Sequence, residues 1–488
     1  MRRHVVNVLI TGLILLGSFP SPAMASELNR PALYGSDVSQ SDIQEQRLPL
    51  RNIRYLGSRI FSTFFNKYDG YGDGPAGVTP EQRNQPGQRS TLQANGTFLH
   101  FNGLDAQSCI ECHNMLSTAT VPIKFAIGGG GGLNSSVIGA GGSFIDANES
   151  HSLTSQNIDG RIINPPFLYG CGSIELLARE MTRDLQTIKN QALQHPDKWI
   201  EVVSKGVHFG RLRADRQGQL DTSEIHGIEA QADVRDFLVV RPFGRKGEHA
   251  TIRDFAVHAM QFHFGMEPVE MVGENVDHDN DGVTNEISIG QISALSVFIA
   301  TLDPPRQKPL NSEARLGQRL FTEIGCSECH TPVLQTESPE LIQSFPEIHT
   351  DPDRNVFYRV NLADTPGGYQ RNAAGGLAVP LYADLRLHHM GAELAEADGN
   401  DRFTTARLWG IADSAPYLHD GRALTIMDAI MQHGGIGSDA RDSVDKFQRL
   451  AVSNQQHLLS FLNSLRTPRQ VSQDLNGMTA VDTHLNDF

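Results

Sequence analysis

The stretch Cys326-Ser327-Glu328-Cys329-His330 constrains this chain more than any other. Two thiols three residues apart, with a histidine directly after, form the attachment pattern of a c-type haem. The spacing follows from the chemistry. Each sulfur adds to one vinyl group of the same porphyrin, and the next residue then lies under the iron as its proximal ligand. The chain carries the pattern twice, the other copy being Cys109-Ile110-Glu111-Cys112-His113. A lone CxxC could be a zinc knuckle, a redox pair or a structural disulfide. Two copies, each followed by histidine, point to two covalently attached haems c, held by Cys109, Cys112, Cys326 and Cys329 and ligated by His113 and His330.

The start of the chain agrees with that chemistry. Met1-Arg2-Arg3 precedes an apolar run from Val5 to Phe19, and Ala23-Met24-Ala25 reads as a small-x-small cleavage site. This is the layout of a secretory signal peptide over residues 1–25. The run is short for a membrane span, so the expectation is a periplasmic protein with no membrane span after cleavage. Of five cysteines, four are assigned to haem, which leaves Cys171 alone and excludes a disulfide framework. A single such cysteine is ordinarily a small buried hydrophobe. Removing Arg2 and Arg3 with the leader takes the formal charge from −15 to −17. So acidic a chain is a poor nucleic-acid binder. It suits a basic electron-donor protein as partner.

Helical periodicity places Ile53, Leu56, Ile60, Phe61 and Phe64 on one face ahead of the first haem site. Residues 69–93 and the glycine-rich 127–142 read as loops. A helix is expected through Leu176, Leu177, Met181, Leu185 and Ile188, then strands within 207–225 turning at Arg216-Gln217-Gly218. Thr251 caps a helix to about Phe264, and Ile289–Leu302 forms the next. Asp303-Pro304-Pro305 marks a boundary. Beyond it, a helix before Cys326, a long loop over 331–398, a helix from Thr425 to His433 and a last helix through Leu458, Phe461 and Leu465 suggest a cytochrome c-like domain. The expected fold is therefore mainly α. It has two cytochrome c-like haem domains, 26–305 with loop and short β insertions and 306–467, followed by a polar tail at 468–488.

Further stretches carry a family resemblance. They include Arg161-Ile-Ile-Asn-Pro-Pro-Phe-Leu-Tyr-Gly170, Pro242-Phe-Gly-Arg-Lys-Gly247, Tyr382-Ala-Asp-Leu-Arg-Leu-His-His-Met-Gly391, Leu418-His-Asp-Gly-Arg422 and Asp428-Ala-Ile-Met-Gln-His-Gly-Gly435. With the two CxxCH sites, they resemble the bacterial di-haem oxidoreductases of the "thiol oxidoreductase" type, distant relatives of the di-haem cytochrome c peroxidases. The chain departs from that pattern at His389, where the family usually has Asp, and at Arg245, where it usually has Trp. The resemblance implies an oxidoreductase of peroxidase type. One haem reacts with hydrogen peroxide, and the other passes electrons from a donor protein or small reductant. An electron-transfer cytochrome with both irons six-coordinate, and an oxygenase or protein-modifying enzyme, are the competing readings.

The resemblance also implies a sixth ligand for the second haem after the His-Asp-Gly turn. His433 falls there and shares a face with Ile426 and Ile430; Met431, Met427, His419 and His388 are its rivals. For the first haem, His263 and Glu267 are the candidate acid–base groups, with His258 in reserve. Asp277, Asp279 and Asp281 with Gly282 follow the spacing of a calcium loop in which Glu286 stands in for the usual last ligand. Trp409 is one of two tryptophans and a candidate electron relay, although a buried tryptophan is more often core.

Overall fold

The computed structural model describes residues 30–72, 107–113, 164–229, 237–365, 368–395 and 399–468. The leader, residues 73–93 of the first expected loop, the glycine-rich 127–142 and the tail after 468 lie outside the described residues. Helices α1 (Gln40–Gln44), α2 (Leu50–Ser62), α3 (Cys171–Gln194), α4 (Ile252–Phe264), α5 (Val269–Val272) and α6 (Ile289–Ala300) come first. They are followed by α7 (Ser312–Glu323), α8 (Ile426–Gln432), α9 (Arg441–Arg449) and α10 (Val452–Leu462).

Local chemistry sets several of these boundaries. The Thr251 hydroxyl accepts from the Asp254 N–H to start α4, and Gly265, at φ +69°, ends it in the left-handed region that suits glycine. Ser288 and Gln291 form a reciprocal capping box on α6. Thr425 caps α8 through the Asp428 N–H, and His433 closes that helix as its C-cap.

Two helix crossings bracket the haem-attachment turns. Helix α2, ahead of Cys109, packs on α6, and α7, ahead of Cys326, packs on α10. Each crossing is made over a glycine. A Cβ on Gly57 would lie 2.3 Å from the Ala294 carbonyl oxygen, and one on Gly317 would lie 1.9 Å from that of His457. Only a residue without a Cβ allows backbones this close.

The larger hydrophobic core joins Ile53 and Phe61 of α2, Leu177 of α3, Met260 of α4 and Phe298 of α6. The smaller one joins Phe321 of α7, Ile426 of α8, Phe447 of α9 and Phe461 of α10. Each such side chain, fully buried, contributes about 1.5–3 kcal/mol of transfer free energy.

The expectation of a mainly α chain built from two cytochrome c-like domains is overturned. Among the described residues helix accounts for 34% and strand for 16%. The strands form five small antiparallel sheets among the described residues. β1 (Ile200–Ser204), β2 (Val207–Ala214) and β3 (Leu220–Ile225) make one meander in the N-terminal half, and β2 and β3 fall where alternation predicted them. The correction lies chiefly in the C-terminal half. There β6 (Glu340–Ser344) pairs with β7 (Val356–Asn361), and β5 (Leu334–Gln335), β9 (Leu377–Val379) and β8 (Gln370–Arg371) form a sheet. In the same half β10 (Leu387–His389) pairs with β11 (Arg402–Thr404), and the short β4 (Arg306–Gln307) with β12 (Leu465–Arg466). Of these strands, β5 to β10 fall within 331–398, the region read as a long loop. Leu341, Val360, Leu377 and Val379 from these strands are buried in the larger core.

No helix among the described residues is long and apolar enough to cross a membrane.

Candidate haem and cation sites

Both CxxCH stretches fold into the same tight turn. The Cys112 and His113 N–H groups donate to the Cys109 carbonyl at 3.2 and 2.8 Å. His330 donates likewise to Cys326 at 3.0 Å, and the Cys329 N–H does the same. Each turn is a short 3-10 helix that carries its two thiols and delivers the histidine at its end. None of the four cysteines is in a disulfide.

The proximal histidines are oriented by backbone carbonyls. His113 Nδ1 lies 2.8 Å from the Pro166 oxygen and His330 Nδ1 lies 3.1 Å from the Tyr382 oxygen. A carbonyl only accepts, so each Nδ1 carries the proton and each Nε2 keeps its lone pair. Burial drives both imidazole pKa values down to about 4. His263 and Arg407 add to the effect at His113, as His433 does at His330; the carbonyl hydrogen bonds oppose it. Neutral imidazole is the form that binds iron. Tyr382 supplies its carbonyl from the left-handed region, at φ +55°. That costs a bulky residue on the order of 1–3 kcal/mol, a strain typical of functional sites.

His433 faces the second of these histidines. Its ring centre lies 6.5 Å from that of His330. Two metal–nitrogen bonds of about 2 Å and about 1.1 Å from each nitrogen to its ring centre span about 6.2 Å, so the ring separation matches one iron between them. His433 Nδ1 donates to the Ala429 carbonyl at 2.7 Å, which leaves its Nε2 unprotonated. Burial lowers the pKa of His433 as well.

The rivals are engaged elsewhere. Met431 is exposed, and its sulfur contacts Gln448 Nε2 at 3.8 Å. His419 stacks on Phe403 at 4.3 Å. His388 holds Asp384 at 2.8 Å through Nε2 and approaches the Cys329 sulfur at 3.6 Å through Nδ1. The atypical His389 points the other way from β10. It is exposed and paired with Asp401 at 2.7 Å.

Around the first attachment turn, the ring in contact with His113 is that of Phe255, edge-on at 6.3 Å. Phe255 also touches His249, which shares the Asp254 carboxylate with His258. His263 is close enough for its charge to act on His113.

The two halves meet through the Asn164–Tyr169 segment. Asn164 donates to the carbonyls of Pro416 and Leu418, and its N–H to that of His419. Arg407 donates to the Phe167 carbonyl. Trp409 is buried against Gly170, and its N–H contacts the Leu381 carbonyl, one residue before the Tyr382 that holds His330. Trp409 therefore lies between the segments that anchor the two proximal histidines.

Glu267 goes to a different site from His263. Gly265 turns the chain at the end of α4, and Glu267 enters a carboxylate cluster with Asp279 and Glu286; Asp279 is shared with Asp277 and Asp281. Burial raises the pKa of Asp279 to about 8, helped by Asp281, and that of Glu286 to about 10, helped by Asp279, Asp281 and Glu267. Glu267 and Asp281 are raised for the same first reason. Without a cation, such a cluster has to retain protons. The sequence reading missed Glu267 as a member of this site, because its partners lie ten and more residues away across a turn.

Two cysteine pairs, each followed by an imidazole held neutral, with a second imidazole beside His330, fit two haem-attachment sites. Residues 274–465 match the family described as "Di-haem oxidoreductase, putative peroxidase", and over that span the chain carries this family's domain. The matched domain is an enzyme domain of di-haem oxidoreductase type. No curated protein matches it significantly. Among solved structures, a MauG-like protein associated with microbial copper homeostasis is 15% identical with a TM-score of 0.27. That match covers 60% of this chain and 89% of the other. A Kuenenia stuttgartiensis hydrazine synthase is 17% identical with a TM-score of 0.26, covering 54% and 78%. Likenesses this weak carry no argument about function.

Proposed function

We propose that the protein is an exported peroxidase with two covalent haems, in which one haem meets hydrogen peroxide and the other delivers electrons. The observation that carries this reading is the asymmetry between the two sites. Among the described residues, the His330 imidazole has a second imidazole, His433, at iron-spanning distance, whereas the aromatic ring packed on His113 is that of Phe255. Two axial imidazoles suit electron transfer, and a site that keeps a displaceable position suits peroxide. Each haem is tied by thioethers at Cys109 and Cys112 or at Cys326 and Cys329.

Haem iron, when bound, supplies the redox centre. The chain's own residues position it, hold the imidazoles neutral and manage protons. Reducing hydrogen peroxide to two waters consumes two electrons and two protons. The electrons come from a donor protein or small reductant through the His330 site, with Trp409 as relay between the halves. A proton must reach the leaving oxygen, and His263 is assigned that transfer. Glu267 is not, because its unpartnered oxygen is committed to the carboxylate cluster. Calcium belongs to this reading as a structural companion, held by Asp277, Asp279, Asp281 and Glu286.

Rapid mixing of the holoprotein with hydrogen peroxide tests the assignment, in the oxidised form and with one haem reduced. The haem spectrum should change in at least one form. His263→Gln should slow that change by about tenfold or more, the low side of general acid–base contributions. A spectrum that stays fixed in both forms would leave the electron-transfer cytochrome as the better reading.

A further inference from the structure

Four carboxylates behind the end of α4 share one arrangement. In Glu267, Asp277, Asp279 and Glu286, one oxygen accepts a backbone N–H and the other is buried without a hydrogen-bond partner. The donors are the N–H groups of His278 to Glu267, Gly282 to Asp277, Asp281 to Asp279 and Glu267 to Glu286, at 2.5–3.2 Å. Glu267, Asp279 and Glu286 are 1%, 3% and 5% exposed, so bulk solvent does not reach them. The ion pairs among the described residues bring no Lys or Arg to the cluster. Among the described residues, the His278 ring, half-exposed, lies 3.6 Å from Glu267 Oε1, too far for a hydrogen bond. Buried acceptors are rarely left open unless something absent from the chain fills them.

We propose that one calcium ion occupies this position with Glu267 as a ligand from outside the loop, so that the ion clamps the end of α4 to residues 277–286. This rests on the reading of that loop as a calcium loop, and adds a ligand and a role. The donor set selects the ion. All the ligands are oxygens, they come from an irregular loop and a helix end, and they are highly anionic; calcium accepts such flexible oxygen shells. Magnesium demands a near-ideal octahedron and keeps its waters, and zinc and copper favour nitrogen and sulfur.

The clamp reaches the first haem site. Pro268 and Ile287 form a parallel bridge beside the cluster. Glu286 also packs on the turn at Gly70, where an added Cβ would lie 2.1 Å from the carboxyl carbon. That turn follows Phe65, whose N–H donates to the Gln107 carbonyl at 3.0 Å, two residues before Cys109. Phe65 in turn packs on Phe264, the last residue of α4, at 5.1 Å. An ion at Glu267 and Glu286 thus joins the helix that touches His113 to the segment that leads into its attachment turn.

The test uses the full-length holoprotein, stripped with chelator and titrated with calcium in a calorimeter. Hydrogen exchange over residues 263–272 is followed in parallel. The parent should bind one calcium and gain protection there. Glu267→Gln should weaken affinity by about tenfold or more, since ligand charge tunes such sites, and lose the calcium-dependent protection. Glu274→Gln, at an exposed acid outside the cluster, should behave as the parent. If Glu267→Gln does not fold, Glu267→Asp keeps the charge and withdraws the oxygen; it should also bind more weakly, and parent-like affinity would overturn the clamp. No calcium binding by the parent would end both the loop reading and the clamp. Binding and protection unchanged in Glu267→Gln would preserve the loop and remove Glu267 from the site.

Discussion

Replacing His433 by Ala should convert one of the two haems from low spin to high spin and raise its reduction potential. Imidazole stabilises ferric iron more than water or an empty position does, so losing it favours the ferrous form. Axial ligation moves haem potentials over a range of roughly 0.8 V, and a sizeable shift within that range is expected. The His433 ring stands 6.5 Å from that of His330, with its Nδ1 engaged by the Ala429 carbonyl. Met431 is exposed and His388 is held by Asp384, so no described neighbour is poised to replace it. Titration followed by visible and electron paramagnetic resonance spectra reads the change. An unchanged spectrum and potential would place the ligand elsewhere, and His419 and Met431 would be the next substitutions.

Removing both thiols of the first attachment turn, Cys109→Ala with Cys112→Ala, should halve the covalent haem content. The two turns share their backbone geometry but belong to separate cores, Cys109 and Cys112 packing on the larger and Cys326 on the smaller. Loss of one turn should therefore leave the other loaded. Acid-acetone extraction followed by a pyridine haemochrome assay should give two covalent haems per parent chain and one per variant. Haem that extracts from the parent into the organic phase would contradict covalent attachment. In the variant, the remaining haem should keep the low-spin spectrum of the His330 and His433 pair.

The sequence made the attachment turns, α4 and α8 legible because each is a local pattern. Thr251 and Thr425 cap helices through the N–H three residues on, and such spacing is visible without the fold. The helix face drawn from Ile426 gave the inward direction of His433, whereas its reading as a ligand came from the family resemblance. Glu267 was read as an acid–base candidate from its place just after α4, and its membership of the carboxylate cluster could not be seen because the left-handed turn at Gly265 redirects the chain. The strands over 334–404 were missed because they are short and their buried residues are few; β9, for instance, buries only Leu377 and Val379 of three residues. In β7 the period-two signal is broken: its buried Phe357 and Val360 are three residues apart, because the pairing with β6 shifts register there. The side-by-side histidines of β10 show the same limit. Strand alternation buries His388 and exposes His389, so the atypical residue is the surface one.

The most direct test of the central claim is the electron paramagnetic resonance spectrum of the fully ferric, haem-loaded parent. The account predicts one low-spin signal of two axial imidazoles, lost in His433→Ala, beside one high-spin signal from the iron at His113, lost in the Cys109→Ala/Cys112→Ala variant. Two low-spin signals in the fully ferric protein, with the haem that stays ferric still low-spin after the other is reduced, and no reaction with hydrogen peroxide, would contradict the division into a reactive haem and an electron-transfer haem.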